Sequence, residues 1–344
     1  MRLVTLLTAL SLFACGAGDE SAASAASNAA GGGAGASGSA GSAGAGGGPD
    51  RPAPTPSEVL SVDKYDCSAK GPFVPAARPH TATCLFEATC SSRFVTAHRM
   101  SNPFAPENSS SALRAAIRLG VDIAETDVRL TADGHVVLIH DAEVDRTLSG
   151  TGDVEKMTLA ELQALAVKLE PSDPKGDFGC ERVMTLEAAM AIAKGKIVVE
   201  LETKRTDAGI AAAKYLKEQG LYDSAYVQCD ATECKAIRAV VPDVPMSLRA
   251  LEPADLDLLD ELHPIIVEVD PGETWLNPTV RAKINGKGAK VFTNAFVVAD
   301  VKALGSDDLS GYVAMYESGV DILQTEFPHW ALWSLGRLPL PASP

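Results

Sequence analysis

The sequence predicts an α/β fold, a (β/α)8 TIM barrel with an insertion after the second strand. From residue 94 onward, short β-branched runs alternate with helical patterns, and several of these helices end in glycine. Eight strand-helix units within about 250 residues favour a closed barrel over an open sheet. One interruption of the alternation, at about residues 129–183, predicts the insertion.

Eight segments rich in β-branched residues are the predicted barrel strands. They are RFVTAH (93–98), VDIAETDV (121–128), KIVVELE (196–202), AYVQ (225–228), PMSLRA (245–250), IIVEVD (265–270), KVFTN (290–294) and VDILQT (320–325). Helical patterns lie between them, for example SSALRAAIRLG (110–120), TLEAAMAIAKG (185–195) and DAGIAAAKYLKEQG (207–220).

The insertion begins with HVVLIHD (135–141), which follows the second strand after only RLTADG. That link is too short for a crossover to a parallel strand, and its Asp-Gly turn predicts a hairpin. Because the insertion follows a barrel strand, it is expected at the C-terminal mouth, where active sites of this fold are built.

The first fifteen residues have the layout of a secretory signal. They end in LFAC, which resembles a bacterial lipobox with Cys15 as the lipidated residue. The alternative is an ordinary signal peptide that is cleaved elsewhere, with loss of Cys15. The sequence therefore predicts an exported chain, held by its N-terminal lipid on a bacterial outer membrane or cell surface.

Three further regions follow the signal. Residues 16–56 are mostly Ala, Gly and Ser with a Pro-rich end, and are expected to form a disordered linker. A flexible coil of this length reaches about 35 Å. Residues 57–92 are a Cys-containing N-terminal extension, and residues 93–344 are the barrel.

The charge and the cysteine content of the chain argue against several classes of function. The net charge of −15 argues against nucleic acid as a partner and against docking on anionic lipid. Six cysteines besides Cys15 predict up to three disulfides in an exported chain, and their spacing does not match a zinc site. Their pairing stays open, with Cys229 and Cys234 as the first expected pair. The oligomeric state cannot be predicted.

Two predicted strands carry closely spaced acidic residues. Glu125 and Asp127 share one face of their strand, where two carboxylates repel each other unless a cation joins them. Oxygen ligands predict Ca²⁺ or Mg²⁺, and a solvated face or a salt bridge is the alternative. Glu200, Glu202 and Lys204 repeat the pattern on the next barrel strand, either as a third ligand beside a lysine that contacts an anion, or as an ordinary ion pair.

Two histidines are predicted at the mouth. His98 ends the first strand and His140 ends the inserted hairpin, so the pair could serve as acid and base around one reacting centre. Arg99 offers a planar fork suited to phosphate. The other histidines lack such neighbours and are expected to be structural or exposed. No nucleophile elbow, P-loop or dinucleotide motif is found in the sequence.

These residues lie in segments that closely resemble the glycerophosphodiester phosphodiesterase family. The resemblance spans roughly residues 93–335. It rests on AHRM, APEN, ETDV, HD and DRTLSGTG, and more loosely on VMTLEAAM and GVDILQTEFP.

The resemblance implies a role for each matching position. His98 and His140 match the catalytic pair, Arg99 and Lys204 match the phosphate-binding residues, and Glu125, Asp127 and Glu202 match the metal ligands. Glu107 matches a motif glutamate that supports the loop, Glu200 is a weaker match than Glu202, and Asn294 matches a late asparagine. Met100 replaces a glycine and would add bulk beside the site, while Glu326 replaces an aspartate.

The resulting expectation is a metal-dependent hydrolase that converts glycerophosphodiesters to glycerol 3-phosphate and an alcohol. One alternative is a phospholipase D-like enzyme acting on intact phospholipid or sphingolipid. It would need apolar loops at the mouth, for which MSNPFAPE (100–107) offers only Met100 and Phe104. The other alternative is a catalytically inactive binding lipoprotein.

Overall fold

Eight parallel strands close into a barrel in the computed structural model, which confirms the predicted fold class. The first strand pairs with both the second and the last, so the described sheet has no open edge at that seam. The strands are β1 Phe94–Ala97, β2 Ile123–Leu130, β3 Val136–Leu138, β4 Met184–Thr185, β5 Val198–Thr203, β6 Ala225–Asp230, β7 Met246–Arg249, β8 Ile266–Glu268, β9 Lys290–Asn294 and β10 Ile322–Thr325. All except β3 and β4 belong to the barrel.

The described helices lie before β1, in the insertion, in the connections between barrel strands and after β10. They are α1 Pro56–Val59, α2 Ala82–Phe86, α3 Ser110–Leu119, α4 Leu159–Ala164, α5 Leu186–Ala193, α6 Thr206–Gln219, α7 Ala231–Val240, α8 Leu259–Leu262, α9 Pro278–Gly286, α10 Val301–Ser306, α11 Ser310–Glu317 and α12 Pro328–Ser334. Gly120 and Gly220 end α3 and α6 in the left-handed conformation, as the glycine pattern predicts. Short 3-10 turns span Val62–Lys64, His98–Met100, Val154–Lys156 and Pro253–Leu258, and a π-helical turn spans Phe296–Asp300.

The insertion after β2 is a hairpin, as predicted. β3 runs antiparallel to β2, with Val128 opposite Leu138, and β4 adds to β3 in the same sense. A separate apolar core, which includes Val137, Ile139 and Leu162, supports this insertion. The hairpin thereby places His140 directly after a fixed strand.

The barrel interior consists of layers spaced two residues apart along the strands. The lowest layer is apolar and takes one side chain from each of seven strands: Phe94, Ile123, Val198, Tyr226, Ile266, Phe292 and Ile322. The next layer is polar and buried: Thr96, Glu125, Glu200, Gln228, Glu268, Asn294 and Gln324. The candidate site begins in this polar layer, with Glu125, and extends above it to Asp127 and Glu202.

The N-terminal extension closes the bottom of the barrel. Leu85 of α2 packs into the lowest apolar layer. Lys290 Nζ donates hydrogen bonds to the carbonyl oxygens of Glu87 (2.8 Å) and Cys90 (3.2 Å). The extension is therefore part of the barrel's packing.

Three disulfides join the six cysteines among the described residues, and they include the predicted Cys229–Cys234 pair. Cys84–Cys90 stabilises the segment below the barrel, and Cys67–Cys180 joins the extension to the end of the insertion. This last bond spans 113 residues.

The structure describes residues 53–74, 82–100, 103–170 and 173–338, all of which belong to one compact unit spanning 44–344. The predicted signal with Cys15 and nearly all of the predicted linker lie outside the described residues. Among the described helices, none has the length and apolar character required to cross a membrane.

Candidate active site

Three carboxylates meet where β2 and β5 end. The parallel register places Glu125 beside Glu200 and Asp127 beside Glu202. Glu125, Asp127 and Glu202 each offer an oxygen, and these oxygens all lie within 4.8 Å of one another. Glu125 Oε1 is buried without a hydrogen-bond partner among the described residues. An unpartnered buried carboxylate oxygen beside two others fits a hard cation, so these residues could hold a metal.

The pKa values of Glu125 and Asp127, the two fully buried carboxyls of this cluster, are shifted in opposite directions. Burial raises the pKa of Glu125 well above its ordinary value, and the charges of Asp127 and Glu202 raise it further. Burial also acts to raise the pKa of Asp127, but Lys204, His140 and Arg99 together hold this pKa below its ordinary value. Asp127 is thus the fixed anion of the cluster, while Glu125 requires a further cation to stay ionised.

Lys204 and Arg99 supply positive charge on either side of the carboxylates. Lys204 Nζ lies 2.9 Å from Asp127 Oδ1 and 2.6 Å from Glu202 Oε1. The Arg99 backbone N–H donates to Glu125 Oε2 at 2.8 Å, and its Nη1 donates to Glu107 at 2.9 Å. Arg99 Nε is buried and has no partner among the described residues, so it is available to an anion.

Each predicted catalytic histidine is oriented by a carboxylate. His98 Nδ1 lies 2.6 Å from Glu326 Oε1, and its ring packs on Phe296 at 4.8 Å between centroids. His140 Nδ1 lies 2.7 Å from Asp141 Oδ1. A carboxylate at Nδ1 favours the tautomer that protonates this nitrogen and leaves Nε2 for chemistry. Glu326, which was expected to replace an aspartate, is thus the residue that orients His98.

The loop before α3 supports the site, and the sequence analysis recognised only part of it. Glu107 accepts hydrogen bonds from Arg99 and from both terminal nitrogens of Arg146, which matches its expected supporting position. Asn108, which was not singled out, donates to Asp127 Oδ2 at 2.8 Å and accepts from Thr126 at 2.7 Å. Its φ of 54° is in the left-handed region that asparagine tolerates.

Asp141 and Arg146 were also missed as site residues. Arg146 Nε donates to Asp141 Oδ2 at 2.6 Å, so Arg146 joins the carboxylate of His140 to Glu107. Both residues lie inside the HD and DRT motifs, and that position was the available signal. Asp141 and Arg146 act by positioning His140 and Glu107, and a single sequence contains no pattern that identifies such a positioning role.

Glu181, at the end of the insertion, caps the N-terminus of α3. Its carboxylate is buried and accepts the backbone N–H groups of Ser110 (3.1 Å) and Ser111 (3.0 Å), and their hydroxyls as well. Its neighbour Cys180 is bonded to Cys67. Extension, insertion and the loop carrying Glu107 are therefore tied together at one point.

Glu200 and Asn294 lie in the polar layer that also contains Glu125, one layer below Asp127 and Glu202. Glu200 Oε2 accepts from Tyr226 at 2.9 Å, and Asn294 donates to Glu268 Oε1 at 3.0 Å. Burial raises the pKa of Glu200 well above its ordinary value, and Glu268 raises it further. Neither belongs to the three residues that could share a metal, so both are placed as supports beneath the site.

Met100 was expected to add bulk beside the site, and this expectation is wrong. Its side chain is fully buried in the main hydrophobic core, although its φ is 68°. Phe104 is fully buried as well, so the loop MSNPFAPE exposes neither apolar side chain. This loop gives no support to an enzyme that docks on lipid through it.

Residues 98–259 match the model of the glycerophosphoryl diester phosphodiesterase family. That range contains both histidines, Arg99, Lys204 and the three carboxylates. The described barrel continues beyond the matched range to residue 338.

The chain is similar to proteins that carry the family name. A glycerophosphodiester phosphodiesterase of Caldanaerobacter subterraneus is 40% identical over 111 residues, which are 32% of this chain and 44% of the relative. The chain thus spans less than half of the length of the curated relatives that it matches first.

Two solved structures share the fold. A glycerophosphodiester phosphodiesterase of Agrobacterium tumefaciens is 23% identical with a TM-score of 0.59, covering 70% of this chain and 98% of its own. A phosphodiesterase of Oleispira antarctica, solved with the product sn-glycerol-3-phosphate, is 23% identical with a TM-score of 0.58, covering 72% and 99%.

Proposed function

We propose that this chain hydrolyses glycerophosphodiesters to glycerol 3-phosphate and an alcohol, because residues 98–259 match the model of the glycerophosphoryl diester phosphodiesterase family. The observation that carries the proposal is the arrangement of two carboxylate-oriented histidines and two cations around three clustered carboxylates. A phosphodiester needs all three features: charge neutralisation, a base and an acid.

Glu125, Asp127 and Glu202 would hold a divalent cation, Ca²⁺ or Mg²⁺. When bound, such an ion neutralises charge on the phosphate oxygens. Arg99 contributes through its free Nε, and Lys204 through its ammonium group at the edge of the cluster. Together they hold the phosphate at the mouth of the barrel.

His98 and His140 are the proposed acid and base. One Nε2 takes the proton of the attacking hydroxyl, which belongs either to water or to the glycerol itself. As this oxygen bonds to phosphorus, the P–O bond to the alcohol breaks, and the other Nε2, protonated beforehand, gives its proton to the leaving alkoxide. On the route through glycerol's own hydroxyl, water then opens the cyclic phosphate to glycerol 3-phosphate. Glu326 and Asp141 stabilise the imidazolium that each histidine forms during turnover. The mechanism needs both rings, so each histidine variant should lose activity.

The proposal is tested by hydrolysis of glycerophosphocholine and glycerophosphoethanolamine by residues 16–344, with chelator, with Ca²⁺ and with Mg²⁺. Release of glycerol 3-phosphate that depends on the cation and is lost in His98→Ala is the expected result. A folded protein that binds the cation and hydrolyses neither diester would overturn the proposed substrate class. Turnover of phospholipid micelles by that protein would then favour the enzyme that acts on intact lipid.

We also propose that the chain is exported and anchored through a lipid on Cys15. The lipobox-like LFAC sequence supports this, as do three disulfides, which persist in oxidising compartments. Cys15→Ser should remove labelled fatty acid from the protein and release it from the membrane fraction. Retention of both label and membrane association would exclude Cys15 as the anchor.

A further inference from the structure

An exposed apolar stripe lies on the segment that follows β9. Eight large apolar side chains are exposed among the described residues, and four of them fall between residues 297 and 304. Val297 is 57% exposed, Val298 43%, Val301 47% and Leu304 42%. We call these four residues the apolar rim. A cluster of this kind marks an interaction surface more often than scattered single residues do.

The apolar rim borders the candidate active site. The segment leaves the C-terminal end of β9, and Phe296 at its start packs on the His98 ring. Asp300, on its buried side, accepts the hydroxyls of Tyr312 and Thr325 at 2.6 Å each and the backbone N–H of Glu326 at 2.9 Å. The apolar rim is thus held beside Glu326, whose carboxylate orients His98.

The apolar rim carries almost no net charge. Between residues 296 and 306 the charged side chains are Asp300, which is buried, and Lys302, which lies 2.8 Å from Asp308. A neutral aliphatic stripe on a chain of net charge −15 fits an uncharged surface better than an anionic one.

The chain enters the domain on the same side as the mouth. The carbonyl oxygen of Pro54 accepts a hydrogen bond from Trp330 Nε1 at 2.7 Å. Trp330 lies in the first turn of α12, which follows the C-terminal end of β10 and Glu326. An anchored residue 15 would therefore be joined to the mouth side through a linker with a reach of about 35 Å.

We propose that the apolar rim docks the mouth of the barrel on the uncharged surface of a phospholipid bilayer. Four aliphatic side chains bind such a surface weakly in free solution. An anchor within the reach of the linker makes the contact intramolecular, at an effective concentration of about millimolar. This proposal rests on the proposed lipid anchor at Cys15 but not on the proposed hydrolysis, because docking concerns where the mouth is held and needs no turnover.

The test attaches residues 16–344 through an N-terminal histidine tag to phosphatidylcholine vesicles that contain a nickel-chelating lipid. Val298→Trp places a fluorophore in the apolar rim. Val240→Trp is the matched control, because Val240 is 48% exposed at the end of α7, on the opposite face of the barrel. Brominated phosphatidylcholine should quench the fluorescence of V298W at least about twofold more than that of V240W, since docking places the rim at the acyl boundary.

Adding Val301→Asp and Leu304→Asp to V298W should reduce its quenching to the level of V240W. Equal quenching of V298W and V240W would overturn the proposal, as would strong quenching that survives both aspartates. A blue shift of V298W that grows with protein concentration without vesicles would assign the rim to a second copy of this chain instead. Hydrolysis of soluble glycerophosphocholine is measured in parallel, so failure of the proposed activity is seen separately from failure of docking.

Discussion

The lower and upper halves of the barrel interior are built by the same strands and have opposite character. In the lower half, seven strands contribute Phe94, Ile123, Val198, Tyr226, Ile266, Phe292 and Ile322, and Leu85 covers them from below. Two and four residues further along, the same strands contribute carboxylates, amides and histidine. Because side chains two residues apart point to the same face of a strand, these polar residues lie directly above the apolar residues of the lowest layer.

The lower part of each strand therefore contributes mainly to stability, and the upper part contributes the charged residues of the candidate site. Apolar burial below supplies stability, which offsets the cost of holding like charges together above.

In the upper half, His98→Ala and His140→Ala should each lower kcat by about 10² to 10⁴, because each removes a proton-transfer group. The free energy of unfolding should change little. Steady-state hydrolysis and urea unfolding measure the two effects. His135→Ala is the control, since the His135 side chain is 48% exposed; a loss below tenfold in either variant would contradict its acid–base role.

In the lower half, Phe292→Ala should lower the free energy of unfolding by about 3–5 kcal/mol through lost burial and a cavity. Turnover well below the unfolding temperature should be largely kept. Phe292→Leu should cost less in the same urea titration. If Phe292→Ala reduced kcat as strongly as His98→Ala, the two halves would not be separable.

Glu268 in the middle layer links the two halves through pH. Burial, together with the charge of Glu202 and against the opposing charge of Arg249, raises the pKa of Glu268 from 4.5 to about 7. A raised carboxyl pKa contributes stability that is present below about 4.5 and lost as the pH rises through about 7. Glu268→Gln removes this titration, so between pH 4.5 and 8 the wild type should lose up to roughly 3 kcal/mol relative to the variant. The free energy of unfolding is measured by urea titration at several pH values for both proteins. If it changed with pH equally in the wild type and in Glu268→Gln, Glu268 would not be the titrating group.

Asn108→Gly should weaken binding of the divalent cation by about 10- to 100-fold, because Asp127 loses its amide donor. Glycine adopts the left-handed φ of residue 108 freely, so the change isolates the side chain. Isothermal titration calorimetry with Ca²⁺ and Mg²⁺ gives the affinity. Unchanged affinity would mean that Asn108 supports the loop without acting on Asp127.

Local patterns predicted the barrel, because each strand and helix carries its own period and its own stop signals. The short link after β2 and its Asp-Gly turn together predicted the hairpin at Val136–Leu138, and the short separation of Cys229 and Cys234 pointed to their bond. The residues of the candidate site could be predicted because charged side chains stand out within the otherwise apolar strand segments.

What the sequence could not predict depends on contacts between distant segments. Glu181 reaches Ser110 across 71 residues, and His98 reaches Glu326 across 228. The burial of Met100 was missed because its position in a motif suggested the mouth, whereas the left-handed turn directs its side chain into the core. The apolar rim lies in a π-helical turn and a short helix whose apolar residues resemble an ordinary core pattern.

The Cys67–Cys180 bond encloses both histidines, Arg99 and two of the three clustered carboxylates in one covalent ring. A protease that cuts the backbone once anywhere between these cysteines opens the ring but releases no fragment. Under the proposed export the chain would meet such proteases, and the inserted hairpin lies between the two bonded cysteines. Nicked chains should therefore run as one species on a gel until a reductant separates them.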